Sequence, residues 1–154
     1  MDWVKRMTGL TFALFCILLV AAVGQFCLEI DFKWYSSLNK PAFMPNPFAF
    51  RFAVSVVYVC LCAVITRLVV GKHFFPSMIF LAVSGVLSVI FIFVMFRLKS
   101  VYGATVAMTA VLAVSFVQMT RFVFKDGKLA LMYLPVFVFN AFCTVLMFSL
   151  AALN

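Results

Sequence analysis

A chain that catalyses or pumps protons must place titratable or nucleophilic groups where its substrate can reach them, and this chain places few. Its four acids are Asp2, Glu29, Asp31 and Asp126, and its single histidine is His73. It contains no His-Glu-x-x-His, no pair of deep carboxylates and no glycine-rich phosphate loop. Zinc hydrolysis, two-carboxylate acid–base chemistry and nucleotide handling therefore have no motif to work with. His73 sits at the edge of an apolar run and reads as an interfacial anchor. The five cysteines, Cys16, Cys27, Cys60, Cys62 and Cys143, all lie in apolar context and read as small buried hydrophobes. Cys60 and Cys62 fall about 200° apart on a helix, so they do not share a metal. Their odd count gives no disulfide framework. No catalytic and no metal-binding residue is expected.

What the chain has in quantity is aromatic surface: 21 Phe and 4 Tyr. Some of these rings must face lipid. Others are suited to line a cavity for a flat, apolar ligand, with Ser88, Asn140 and Thr144 as scarce polar contacts. Asn140 and Thr144 are spaced i, i+4 and share a helix face. An asparagine in mid-span is costly to leave unpaired, so Asn140 either bonds a neighbouring helix or faces a pocket.

These groups must be held by membrane-spanning elements. The chain is 68% hydrophobic and 10% charged, whereas soluble domains are about 45–50% apolar and about 25% charged. Lys and Arg fall in clusters, and Met7 to Leu28, Phe52 to Thr66, Phe74 to Phe96, Ser100 to Thr120 and Leu129 to Asn154 carry no charge. Crossing the hydrocarbon takes roughly 20 apolar residues as a helix. Four stretches meet that outright, and the second meets it if Arg67 snorkels to the headgroups. Transmembrane β-strands would alternate strictly, and runs such as Ala13 to Val20 do not. A cleaved signal peptide is also disfavoured, because the first stretch is long and lacks a small-x-small cleavage site.

The expectation is an all-α membrane protein: one domain over residues 1–154, a bundle of five transmembrane helices at about 7–28, 52–71, 74–96, 100–121 and 129–152, with a long first loop at 29–51. Seven basic residues fall on the side of the N-terminus and five on the other, a weak bias toward a cytoplasmic N-terminus. The net charge of +8 is spread over every loop. It reads as anchor charge beside anionic lipid rather than as a nucleic-acid stripe. No acid, base or histidine lies deep in a span, which argues against proton-coupled export. The first loop holds Pro41, Pro45 and Pro47 with the interfacial pair Trp34 and Tyr35, a composition suited to a lid. Pro135 should kink or locally widen the last helix. The small residues Ser84, Gly85 and Ser88, and Gly103 with Ala107, are suited to close helix packing.

The loop segment Trp34-Tyr35-Ser36-Ser37-Leu38-Asn39-Lys40-Pro41-Ala42-Phe43-Met44-Pro45 resembles the first-loop signature of the TspO/MBR family. That family comprises the tryptophan-rich sensory proteins and the mitochondrial translocator protein. The likeness continues through Phe48, Phe50, Val57, Tyr58 and Ala63, then Ser88 and Phe91 of the third helix. In the fifth helix Leu131 through Pro135, Phe142, Thr144 and Leu146 fit. The resemblance implies a five-helix bundle, usually a homodimer, with a pocket beneath the first loop for porphyrins and other tetrapyrroles, or sterols. It occurs in bacterial inner and mitochondrial outer membranes, the former preferred here. Carried over position by position, it implies a ligand site at Tyr35, Pro45, Val54, Tyr58, Leu87, Ser88, Phe139 and Cys143. Phe91 and Asn140 complete the set of candidates.

Departures from the pattern shape the functional expectation. Only Trp3 and Trp34 are present, so this is a tryptophan-poor member of a tryptophan-rich family. Val54 and Phe139 stand where the family has Trp, Leu87 replaces a bulky aromatic, Val136 replaces Tyr and Asn46 breaks a Pro-Pro pair. Without pocket indoles, light-dependent porphyrin breakdown is not expected, nor is any other enzymatic activity. The expected function is a membrane receptor or carrier for a planar apolar ligand. No cofactor is required, although porphyrin or lipid is expected as a bound guest. Beyond lipid, that ligand and a second copy of the chain, no partner is expected, and nucleic acid is excluded. A structural or regulatory subunit with a degenerate pocket is the alternative.

Overall fold

The described residues form six helices: α1 (Asp2–Glu29), α2 (Phe32–Ser37), α3 (Pro47–Val70), α4 (Phe74–Phe96), α5 (Val101–Lys125) and α6 (Gly127–Leu153). The computed structural model describes residues 2–29, 32–71 and 74–154, with side chains described except at 2, 23–29, 32, 74 and 75. The expectations for Lys72 and His73, and for the Cys27 side chain, lie outside the described residues. All of the helices except α2 are long and apolar enough to cross a membrane.

The ends of these helices are set by local chemistry. Asn46 caps α3: its Oδ1 accepts from the Ala49 N–H at 2.7 Å, and Pro47 occupies the first helical turn. Proline suits that position because its missing N–H would be unpaired there anyway. α3 therefore starts at Pro47 rather than at 52. Ser100 caps α5 through the Gly103 N–H at 3.1 Å. Asp126 both closes α5 and opens α6, its N–H donating to the Phe122 carbonyl at 2.8 Å and its Oδ1 accepting from the Lys128 N–H at 3.0 Å. The helices overrun the uncharged stretches because a helix continues through the interfacial layer until a cap stops it. α4 ends differently: Lys99 adopts a left-handed backbone with φ 53°, and the chain turns within three residues into the Ser100 cap.

α1, α3, α6, α5 and α4 contact one another in that order and close into a ring, α1 meeting α4. Glycine lets two of these neighbours approach closely. A Cβ at Gly9 would meet Val69 Cβ at 3.0 Å, and one at Gly103 would meet Val94 Cγ1 at 2.8 Å. Gly103 thus serves close packing of α5 on α4, as small residues do in lipid. Gly85 does not serve it, since a Cβ there meets nothing within 4 Å.

Two apolar clusters fill the bundle. One joins α3, α5 and α6 around Val64, Leu68, Phe122 and Tyr133. The other lies toward the loop end, around Met95, Met108, Met147 and Leu150 of α4, α5 and α6. α6 runs on through Pro135, whose absent N–H leaves the Leu131 carbonyl without its helical donor.

Candidate functional site

The first loop is not slack chain. α2 seats Trp34 and Tyr35 on the loop-end cluster, and Leu38 follows them. Ser36 and Ser37 bond back to the Lys33 and Trp34 carbonyls at 2.7 Å. A turn follows, with the Met44 N–H donating to the Pro41 carbonyl at 3.0 Å. The loop is then tied to the far end of the chain. The Asn39 N–H donates to Asn154 Oδ1, and Asn154 Nδ2 donates to the Asn39 carbonyl, both at 2.9 Å.

Tyr35 is the best-fixed candidate. Its ring lies 5.7 Å from that of Phe96 in a tilted arrangement, Lys40 Nζ stands 4.7 Å from its centroid, and its hydroxyl points at Met44 Sδ, 3.9 Å away. Burial pushes its phenol pKa up, so the group is a neutral donor at physiological pH. Leu87 and Phe91 of α4 and Cys143 of α6 pack against the same cluster. The structure thus brings four of the ten candidates, Tyr35, Leu87, Phe91 and Cys143, to one apolar wall beneath the loop.

The other candidates divide. Phe139 packs on the α3–α5–α6 cluster and against the Phe50 ring, 5.7 Å away. Val54, Tyr58 and Pro45 are half-buried, with no hydrogen bond or ring contact joining them to the rest among the described residues. Ser88 is half-buried and donates to the Ser84 carbonyl of its own helix at 2.9 Å. Asn140 Nδ2 donates to Ser115 Oγ at 2.8 Å, so this amide group bonds the neighbouring helix. Thr144 donates to the Asn140 carbonyl at 2.8 Å.

Two hollows are described, and none of the ten candidates lines either. One, of about 340 Å3, flanks α2 between Trp34, Leu38, Tyr102 and Asn154. The other, of about 740 Å3, opens at the opposite end of the bundle.

Sequence reasoning passed over two polar features. Gln118 is 1% exposed, and neither end of its amide finds a hydrogen-bond partner among the described residues. It shares the inward face of α5 with Val111, Ser115 and Phe122, and that spacing is its only signal. The second feature is the ion pair of Arg67 with Asp126, in which Nε and Nη2 both reach Oδ2 at 3.1 Å. Asp126 is the lone acid between two long apolar runs, which is a visible hint. Among the described residues no group of His, Cys, Asp and Glu is placed to hold a metal.

Five spanning helices in a ring, roofed at one end by a proline-bearing loop, define a multi-pass integral membrane protein. The TspO/MBR family profile matches residues 12–153, nearly the whole chain, and the chain belongs to that family. Comparison with individual curated proteins finds no match.

Proposed function

We propose that this protein is a receptor or carrier that binds a planar apolar ligand, a tetrapyrrole or a sterol, between its first loop and the wall formed by α4 and α6. The observation that carries this reading is the seating of Tyr35 on the same apolar cluster as Leu87, Phe91 and Cys143. Loop and helices there share one aromatic and aliphatic surface, which a flat guest would enter by displacing α2 rather than by dissolving a polar core. Burial and stacking would supply the affinity, and the neutral Tyr35 hydroxyl a directional contact. The reading extends to a homodimer in a bacterial inner membrane with a cytoplasmic N-terminus. It is a binding role without catalysis, since Val54 and Phe139 stand where family relatives carry indole.

Titrating the purified protein with protoporphyrin IX tests this through intrinsic fluorescence, because Trp34 lies in the loop. We expect saturable quenching, weakened about tenfold or more by Tyr35→Ala and by Phe91→Ala, a loss of roughly 1.4 kcal/mol or more each. Saturable binding that both variants leave unchanged removes the site assignment. Illumination of the complex is expected to produce no protein-dependent loss of porphyrin.

A second reading, a structural or regulatory subunit with a closed interior, is favoured by one observation. Ser88 and Asn140, two polar candidates of the spans, each already donate a hydrogen bond inside the bundle. Absence of any saturable porphyrin or sterol binding, together with co-purification of a stable protein partner, would favour it.

A further inference from the structure

The larger hollow, about 740 Å3, lies between α1, α3 and α6 at the end away from the first loop. Its size falls within the roughly 300–1,000 Å3 range of ligand sites. Leu10, Ala63 and Met132 face its apolar side, while Arg6, Arg67 and Asp126 stand at its rim. From Gly71 at the end of α3 to Cys62, both of which line it, the wall descends about 13 Å at about 1.5 Å per residue. The hollow therefore begins at headgroup level and runs into the hydrocarbon.

The rim is built to hold an anion. Among the described residues, two guanidiniums against one carboxylate leave it one positive charge in excess. Arg67 is oriented by Asp126, which takes its Nε and Nη2 donors. A guanidinium has about five N–H donors in all, so roughly three stay available on a side chain that is still 39% exposed. Asp126 is itself held by the Lys128 N–H, and so acts as a fixed brace for Arg67. A cationic rim above an apolar shaft matches a molecule with an anionic head and a hydrocarbon tail.

We propose that this hollow is a site for one anionic phospholipid, its phosphate held by Arg6 and Arg67 and one acyl chain lying along Leu10, Ala63 and Met132. The lipid would fill the seam where α1 meets α3 and α6, at the opposite end from the loop. The site is independent of the ligand reading above.

Native mass spectrometry of the purified full chain, titrated with a phosphatidylglycerol and a phosphatidylcholine of identical chains, tests the proposal. We expect one phosphatidylglycerol retained per chain in preference to phosphatidylcholine. Arg6→Gln is an exposed change on α1 that leaves the ion pair intact. It should weaken phosphatidylglycerol retention roughly fivefold, the scale of one basic residue at an anionic lipid, and leave phosphatidylcholine unmoved. Arg67→Gln should weaken it at least as much. Equal retention of the two lipids overturns the proposal. So does phosphatidylglycerol binding that neither variant changes, or its one-for-one displacement by protoporphyrin IX.

Discussion

The two carboxylate oxygens of Asp126 serve two different helices. Oδ1 caps α6 through the Lys128 N–H, and Oδ2 receives Arg67 from α3. Desolvation pushes the carboxyl pKa up, but the Lys128 N–H and the Arg67 guanidinium outweigh it and hold the group below its ordinary value of 3.8. A depressed folded-state pKa means that the ionised carboxylate stabilises the fold fully above that ordinary value. The contribution fades as pH falls through the lower folded one. Thermal unfolding in detergent between pH 6 and the acid limit should therefore show an acid-labile component in the wild type that Asp126→Asn lacks. Parallel acid profiles for the two would refute it. Arg67 was legible as a snorkelling residue, but its partner lies 59 positions away, and no local pattern announces a pairing across that distance. Gln118 was equally silent, because a single amide in an apolar run looks the same whether it faces lipid or core.

Helix packing in lipid depends on how near two backbones come, and glycines act there as spacers of zero width. Gly9 sits where α1 meets α3, against the β-branched and stiff Val69. Gly9→Val should push the two helices apart and cost about 1–3 kcal/mol, as overpacking generally does. Gly85→Ala meets open space and should be neutral or gain up to roughly 1 kcal/mol from helix propensity. Thermal unfolding of the two variants side by side checks this, and equal losses would show that both positions are crowded. The sequence pattern placed five spanning helices correctly because charge-free length is a direct consequence of bilayer thickness. Its loop boundary falls too late because the charge on Arg51 lies inside the first turns of α3 rather than in the loop. The Asn46-Pro47 pair is a cap followed by a first-turn proline, and it starts α3 earlier. α2 was missed for a related reason: its six residues are too few to show a period.

At the scale of the whole molecule, membership of the TspO/MBR family is readable from the loop motif, since those residues are contiguous. The candidate site was less readable. Tyr35, Leu87, Phe91 and Cys143 converge on one cluster, yet Phe139 packs on the other, a division that depends on helix rotation. Only three-dimensional packing fixes that rotation, because helices that are hydrophobic all round carry little facial bias. The ring also puts the two ends of the chain on opposite faces, and only one of them touches the lid. Asn154 clasps Asn39 by hydrogen bonds running both ways, so whatever is attached after Asn154 emerges beside the roof of the bundle. A bulky C-terminal fusion should prise that clasp open and speed tryptic cleavage after Lys33, whereas the same cargo on the N-terminus should leave the rate unchanged. Equal rates would mean the clasp bears no strain. Reporter tags for ligand experiments on this protein therefore belong at its N-terminus, where they cannot imitate a guest lifting the roof.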